Sequence, residues 1–228
     1  MYIVHIIFWS ALTIALYHAG KLVNRRFHAW WSSPLMTAPI LLIIVVLVFR
    51  VPYREYISST HWMLAMLAPA TVAFAIPIYE QRELIRKHWL ILMGGVLVGS
   101  VTAMLSSWFL ADMFGLSDQL RISLLPRSLS TPFALIVSGE IGGVPGLTAV
   151  FVIITGLFGA TIGEILLKSL PLRSTIAKGS LFGMGAHAVG TAKAHQIDSE
   201  VGAISGLTMV LVGAVNVLAA PLVEALLR

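Results

Sequence analysis

The 228-residue chain has no cysteine and few charges: Asp, Glu, Lys and Arg together make 11% of it. Without cysteine there is no disulfide, no Cys-ligated zinc and no thiol nucleophile. A soluble domain typically carries about 25% charged residues, so this chain cannot cover a water-facing surface. What it has instead is apolar residues, 58% of the total, and that composition specifies an all-α integral membrane protein in a lipid bilayer. The net charge of +5 is read as cytoplasmic loop charge rather than as a nucleic-acid surface; no nucleic-acid partner is expected. Nor is an enzyme. The chain has no HExxH, GxSxG or P-loop, and its seven histidines form no metal-ligand pair at helical spacing. No metal and no cofactor are expected.

Segments of span length lie at about 3–19, 34–50, 89–111, 146–167 and 202–226. Three more are apolar but interrupted: 61–79, 122–138 and 177–194. That makes seven or eight hydrophobic segments. No Lys or Arg precedes Lys21, so the first segment reads as a retained span rather than a cleaved signal. "PATVAFAIP" begins at Pro69 and "GAHAVGTAK" at Gly185, 116 residues apart; "VLVGSV" and "VLVGAV" begin at Val96 and Val210, 114 apart. These offsets suggest an internal repeat. The expected organisation is one membrane domain over 1–228: a first span and basic loop (1–33), half one (34–111), a re-entrant element (112–145) and half two (146–228).

Charge favours the re-entrant reading. If 122–138 dips in and returns while 177–194 crosses, Lys21, Arg25, Arg26, Arg82, Arg86, Lys87, Lys168, Arg173, Lys178 and Arg228 face inward. Only Arg50, Arg54, Arg121, Arg127 and Lys193 face outward. This agrees with the positive-inside rule. It puts the N-terminus outside and the C-terminus inside, and makes the halves inverted, a transporter-like arrangement with broken helices.

The interrupted segments hold the candidate site. In "LLPRSLSTPFALIV" (124–137), Pro132 suits the first turn of a helix, and Ser130 or Thr131 stands where an N-cap belongs. Free N–H groups there, with Ser128 and the permanently charged fork of Arg127, would suit a carboxylate; alternatively Arg127 snorkels to the interface and Pro132 kinks a helix. Thr71 is the polar side chain between Pro69 and Pro77. In 177–194, His187 either carries a proton or bonds a carbonyl. Gly190 permits an unwound turn or close helix approach, and Thr191 is polar. Asn216 is a site ligand or a helix-to-helix bond. Thr71, Ser130, Thr131 and His187 are expected around one central polar cavity.

"LPRSLSTPFALIVSGEIGGVPGLTAVFVIITGLFGATIG", "GSLFGMGAHAVGTAKA" and "LAPATVAFAIPIYEQ" resemble the LrgB/CidB family over about residues 30–226. The resemblance implies a multi-pass bacterial inner-membrane protein working with an LrgA/CidA-type partner, and a homo-oligomer, taken as a dimer, is expected with it. It implies transport of small carboxylates, of the glycolate, glycerate or pyruvate type. The alternative it carries is a holin- or antiholin-like modulator of murein hydrolase activity and lysis. Two positions depart from the family pattern. Many relatives have Lys at the position of Arg127, and Ser or Thr-Ala-Ser where this chain has the glycines of "GMGAH".

Overall fold

The computed structural model describes residues 2–27, 34–73 and 75–227, and everything regular among them is helical. It falls into two compact units, residues 1–70 and 71–228.

The first unit contains α1 (Tyr2–Phe27), α2 (Pro34–Val48) and α3 (Tyr53–Ala65). Gly20 of α1 lies directly against Pro34 and Thr37, so α1 and α2 are joined as neighbours. α3 is held to α1 by polar side chains an apolar pair of helices could not supply. Trp62 Nε1 donates to Ser10 Oγ at 2.8 Å, and Thr13 Oγ1 lies 3.2 Å from the Tyr56 hydroxyl. Such bonds between helices are worth about 1 kcal/mol in lipid. The chain then breaks into α4 (Leu67–Ala73) and α5 (Ala75–Glu80). The interrupted segment 61–79 is thus three short helices in sequence.

The second unit is built on three long helices, α6 (Arg82–Met113), α9 (Pro145–Ser169) and α11 (Ser199–Leu227). With Val4–Arg26 of α1, these are the four helices long and apolar enough to cross a membrane among the described residues. Between them the chain twice doubles back. The first hairpin runs down α7 (Asp118–Leu124), turns through a 3-10 segment at Leu125–Ser128, and returns as α8 (Thr131–Glu140). Its reversal is read from α9. One residue, Thr148, donates from Oγ1 to the Ser123 carbonyl on the incoming limb (2.9 Å) and contacts Ser138 Oγ on the returning limb (2.7 Å). Ser123, Ser138 and Thr148 are fully buried, so this network closes the hairpin where water cannot.

The second hairpin lies inside α10 (Thr175–Ile197), where His187 takes φ +39 and ψ −124. A straight helix would carry Gly190 about 12 Å beyond Phe182, yet its α-carbon sits against the Phe182 carbonyl. The limbs 175–186 and 188–197 are therefore side by side. Both pack on the start of α11: Gly179 and Gly183 meet Ile204 and the Ser205 carbonyl, and Gly202 meets His195. Segment 177–194, read from sequence as a crossing, does not run straight through. Its first limb also descends along α9, with Phe182 at Gly163, Gly185 at Gly159 and His187 at Gly156. Glycine at these positions lets backbones approach where any side chain would intervene.

α9 joins the base of the first hairpin to the base of the second. The hairpins thus enter from opposite ends, and their tips meet near the middle of α6.

Candidate functional site

Leu125, Ser128 and Leu129 at the first tip, and Met184 near the second, line one small cavity with Gly99, Ser100, Ala103 and Met104 of α6 and Val212 and Asn216 of α11. From the non-helical His88, α6 runs about 38 Å to Met113, and Ser100 stands about 18 Å along it, so this is a mid-helix position. The cavity measures about 10 Å³, close to the minimum for a single water. Its walls are mostly apolar. An open polar chamber is therefore not present at the tips.

Around it the polar groups differ sharply in how well they are satisfied. Asn216 Nδ2 donates to Ser100 Oγ at 2.8 Å and to the Val212 carbonyl at 2.7 Å. It bridges α11 to α6. His187 is 3% exposed, and its Nε2 donates to the Val152 carbonyl at 3.0 Å. That bond fixes the tautomer and pins the reversal to α9. Thr191 Oγ1 lies 3.0 Å from Ser205 Oγ, and Gly190 lets the limbs of α10 touch. Thr191 and Gly190 thus pack the second hairpin and do not reach the cavity between the tips.

The first hairpin is different. Ser130 has an extended backbone (φ −67, ψ 148) and stands directly before α8, with Pro132 in the first turn. Pro132 costs nothing there, since first-turn N–H groups have no intrahelical partner. Ser130 is 2% exposed, and its Oγ has no hydrogen-bond partner among the described residues. It makes no side-chain cap bond to α8. A buried unpaired hydroxyl costs about 1–3 kcal/mol. Thr131 begins α8 beside it. Arg127, half-buried in the 3-10 turn, donates from Nε to Ser107 Oγ at 2.8 Å. Among the described residues no carboxylate lies within ion-pair distance of it. Ser107 is six residues from the end of α6, a depth of about 9 Å. The guanidinium is thus half-buried with one neutral partner among the described residues.

The side chain of Thr71, in α4, lies outside the described residues. Sequence reasoning missed Ser100 and Ser107, the α6 partners of Asn216 and Arg127. Their spacing of seven puts both on one helix face, and that was the available signal. It also missed a much larger cavity, about 660 Å³, at the base of the second hairpin; Glu83, Lys87 and His88 of α6 face Arg173–Ile176 and Glu200 across it.

Comparison with known proteins agrees over nearly the whole chain. The model of the LrgB-like family matches residues 13–226. The chain is similar to the uncharacterized protein YwbG of Bacillus subtilis, 40% identical over 210 residues that cover 92% of this chain and 93% of that one. It is similar to the holin-like protein CidB of Staphylococcus epidermidis, 35% identical over 205 residues and 90% of each chain. CidB of Staphylococcus aureus is 34% identical over the same span. No solved structure matches.

Proposed function

The chain belongs to the LrgB-like family of membrane proteins, and from that premise we propose that it moves small monocarboxylates across the bacterial inner membrane. The substrates are acids of the glycolate, glycerate or pyruvate type, and an LrgA/CidA-type protein works beside it. The observation that carries this reading is the unsatisfied polar pair on the first hairpin, the orphan hydroxyl of Ser130 and the uncompensated charge of Arg127, beside the N-terminus of α8. Helix N–H groups and the positive end of the helix dipole favour a carboxylate there. Arg127 stays charged at every physiological pH and grips with a fork. Ser128 and Asn216, at the mid-helix cavity, lie along the route onward.

The tight cavity makes this an occluded arrangement: the tips must part before an acid passes. Hairpin one with α9 and hairpin two with α11 form an inverted pair in this reading, a recurring way to give alternating access to a midplane site. It replaces the pairing of 34–111 with 146–228. Within the second unit, Arg82, Arg86, Lys87, Lys168, Arg173, Lys178 and Lys193 gather at the base of the second hairpin, whereas Arg121 and Arg127 belong to the first. The second base is therefore the cytoplasmic one. The end of α11 then faces outward, opposite to the side obtained by counting 177–194 as a crossing.

The second reading is a holin-like role in lysis, favoured by the name of the holin-like CidB relatives. Uptake of radiolabelled glycolate, glycerate and pyruvate into proteoliposomes, with and without the partner protein, separates the two. Saturable uptake of one acid supports transport. Non-selective leakage of a trapped dye, without saturable uptake, supports the holin-like role.

A further inference from the structure

The 660 Å³ cavity at the base of the second hairpin plays no part in holding a carboxylate at the tips. It lies about 18 Å from His187 along the first limb of α10. Each of its two walls carries one acid and one base. α6 contributes Glu83 and Lys87, one helical turn apart. The facing wall contributes Arg173, just before α10, and Glu200, in the first turn of α11. None of these four is in an ion pair among the described residues. Even Glu83 and Lys87, at a spacing that ordinarily favours pairing, do not meet.

The α6 wall is also jointed. Residues 82–87 are helical, but Gln81 before them has φ −95 and ψ 13, and His88 after them has φ −120 and ψ 23. Both positions lie outside helical geometry, so this one-and-a-half-turn segment is joined to the long helix by a break in the cavity wall itself. Short segments with such joints are where chain movement concentrates.

We propose that residues 82–87 form a hinged gate on this face, and that it closes the cavity by pairing Glu83 with Arg173 and Lys87 with Glu200. In the structure the cavity stands open and the four charges are unpaired among the described residues. Closure swings the segment about His88 onto the bases of α10 and α11. One acid and one base on each wall make both pairs attractive in this register and repulsive if the segment slips, which gives the closed state a defined geometry. The proposal rests on the transport reading, since a gate matters only if something passes.

The absence of cysteine makes the test direct. In the full-length chain, Glu83→Cys/Arg173→Cys is oxidised with copper phenanthroline in proteoliposomes containing the partner protein. A disulfide needs α-carbons roughly 4.4–6.8 Å apart, so its formation, read by mass spectrometry, reports closure. The expected result is a cross-link that abolishes carboxylate uptake, with uptake restored by dithiothreitol. In parallel, Glu83→Arg should depress uptake, and Glu83→Arg/Arg173→Glu should recover it. A pair that stays reduced while uptake is normal overturns the gate and leaves transport standing. So does a cross-link with uptake unchanged, or a charge swap that fails to recover. No saturable uptake by the parent chain overturns the transport reading, and the gate with it.

Discussion

The two hairpins solve one problem, reversing a helix inside an apolar body, by different means. The first uses prolines and hydroxyls: Pro126 opens the 3-10 turn, Ser130 extends, and Pro132 starts the return. The second uses one histidine with positive φ, its ring packed against Gly156 of α9, with glycines closing the approach of its limbs to each other and to α11. In the second, His187 and Thr191 have protein partners. In the first, among the described residues, Ser130 Oγ has none and Arg127 has the Ser107 hydroxyl. A polar group left unsatisfied in a packed interior is costly, so the two hairpins differ at their tips in how fully their polar groups are paired, and under the proposed transport reading the first tip is the one that takes the ligand.

The largest effect should come from crowding the second hairpin. A β-carbon at Gly183 would collide with the Ser205 carbonyl, and one at Gly190 with the Phe182 carbonyl, whereas Gly139 in the first hairpin has open space. Gly183→Val should cost at least about 1–3 kcal/mol and deplete folded protein in a detergent thermal-melt assay. Gly139→Ala should stay within about 0.5 kcal/mol. Equal tolerance at both would erase the packing contrast.

Arg127→Ala comes next, and it acts on function rather than stability. Loss of a charge-assisted bond worth about 1.5–3 kcal/mol weakens substrate affinity about 10- to 150-fold, read from the concentration dependence of uptake at matched protein levels. Arg127→Lys should keep part of the affinity, because a point charge replaces the fork. Unchanged uptake in Arg127→Ala would make Arg127 an interface anchor.

His187 should show an inverted preference. His187→Ala loses the bond to the Val152 carbonyl, about 0.5–1.5 kcal/mol. His187→Gly loses it too but relieves the positive φ, worth about 1 kcal/mol. The melting temperature should therefore be higher for Gly than for Ala, the reverse of an ordinary helix interior. The opposite order would mean the reversal is elsewhere.

Ser130 should move stability in the opposite direction from the other sites. If its hydroxyl served as a helix cap, Ser130→Ala would cost about 1 kcal/mol. With its buried hydroxyl unpaired among the described residues, removal should instead raise stability, by up to about 1–3 kcal/mol, while raising the concentration needed for half-maximal uptake. A melt that falls with uptake intact would return Ser130 to a structural role.

Part of this was legible beforehand. Ser130 followed by Thr131-Pro132 reads as the start of a helix, because proline fits the first turn and a short hydroxyl residue fits just before it; α8 begins there. The glycines of "GMGAHAVG" were not decisive in the same way. They suit a straight helix packed closely on a neighbour as well as they suit a turn, and the reversal fell on His187 rather than on any of them. Lys193 and Glu164 were each readable as near a span end, but their 2.9 Å ion pair exists only because the second limb of α10 runs back along α9.

The sequence by itself determined the medium, the helices and the places where helices stop. Those follow from composition, run length and the backbone chemistry of proline, all of which act within a few residues. Only the tertiary structure decided which breaks are reversals, that the tips close down to a space of about 10 Å³, and which hydroxyl is left without a partner. Satisfaction of a buried polar group depends on whether an acceptor on another helix arrives within about 3 Å. The Val152 carbonyl, 35 residues from His187, arrives; for Ser130 Oγ no such partner does. That distance is set by packing of glycine against backbone, not by any residue's nearest neighbours in the chain.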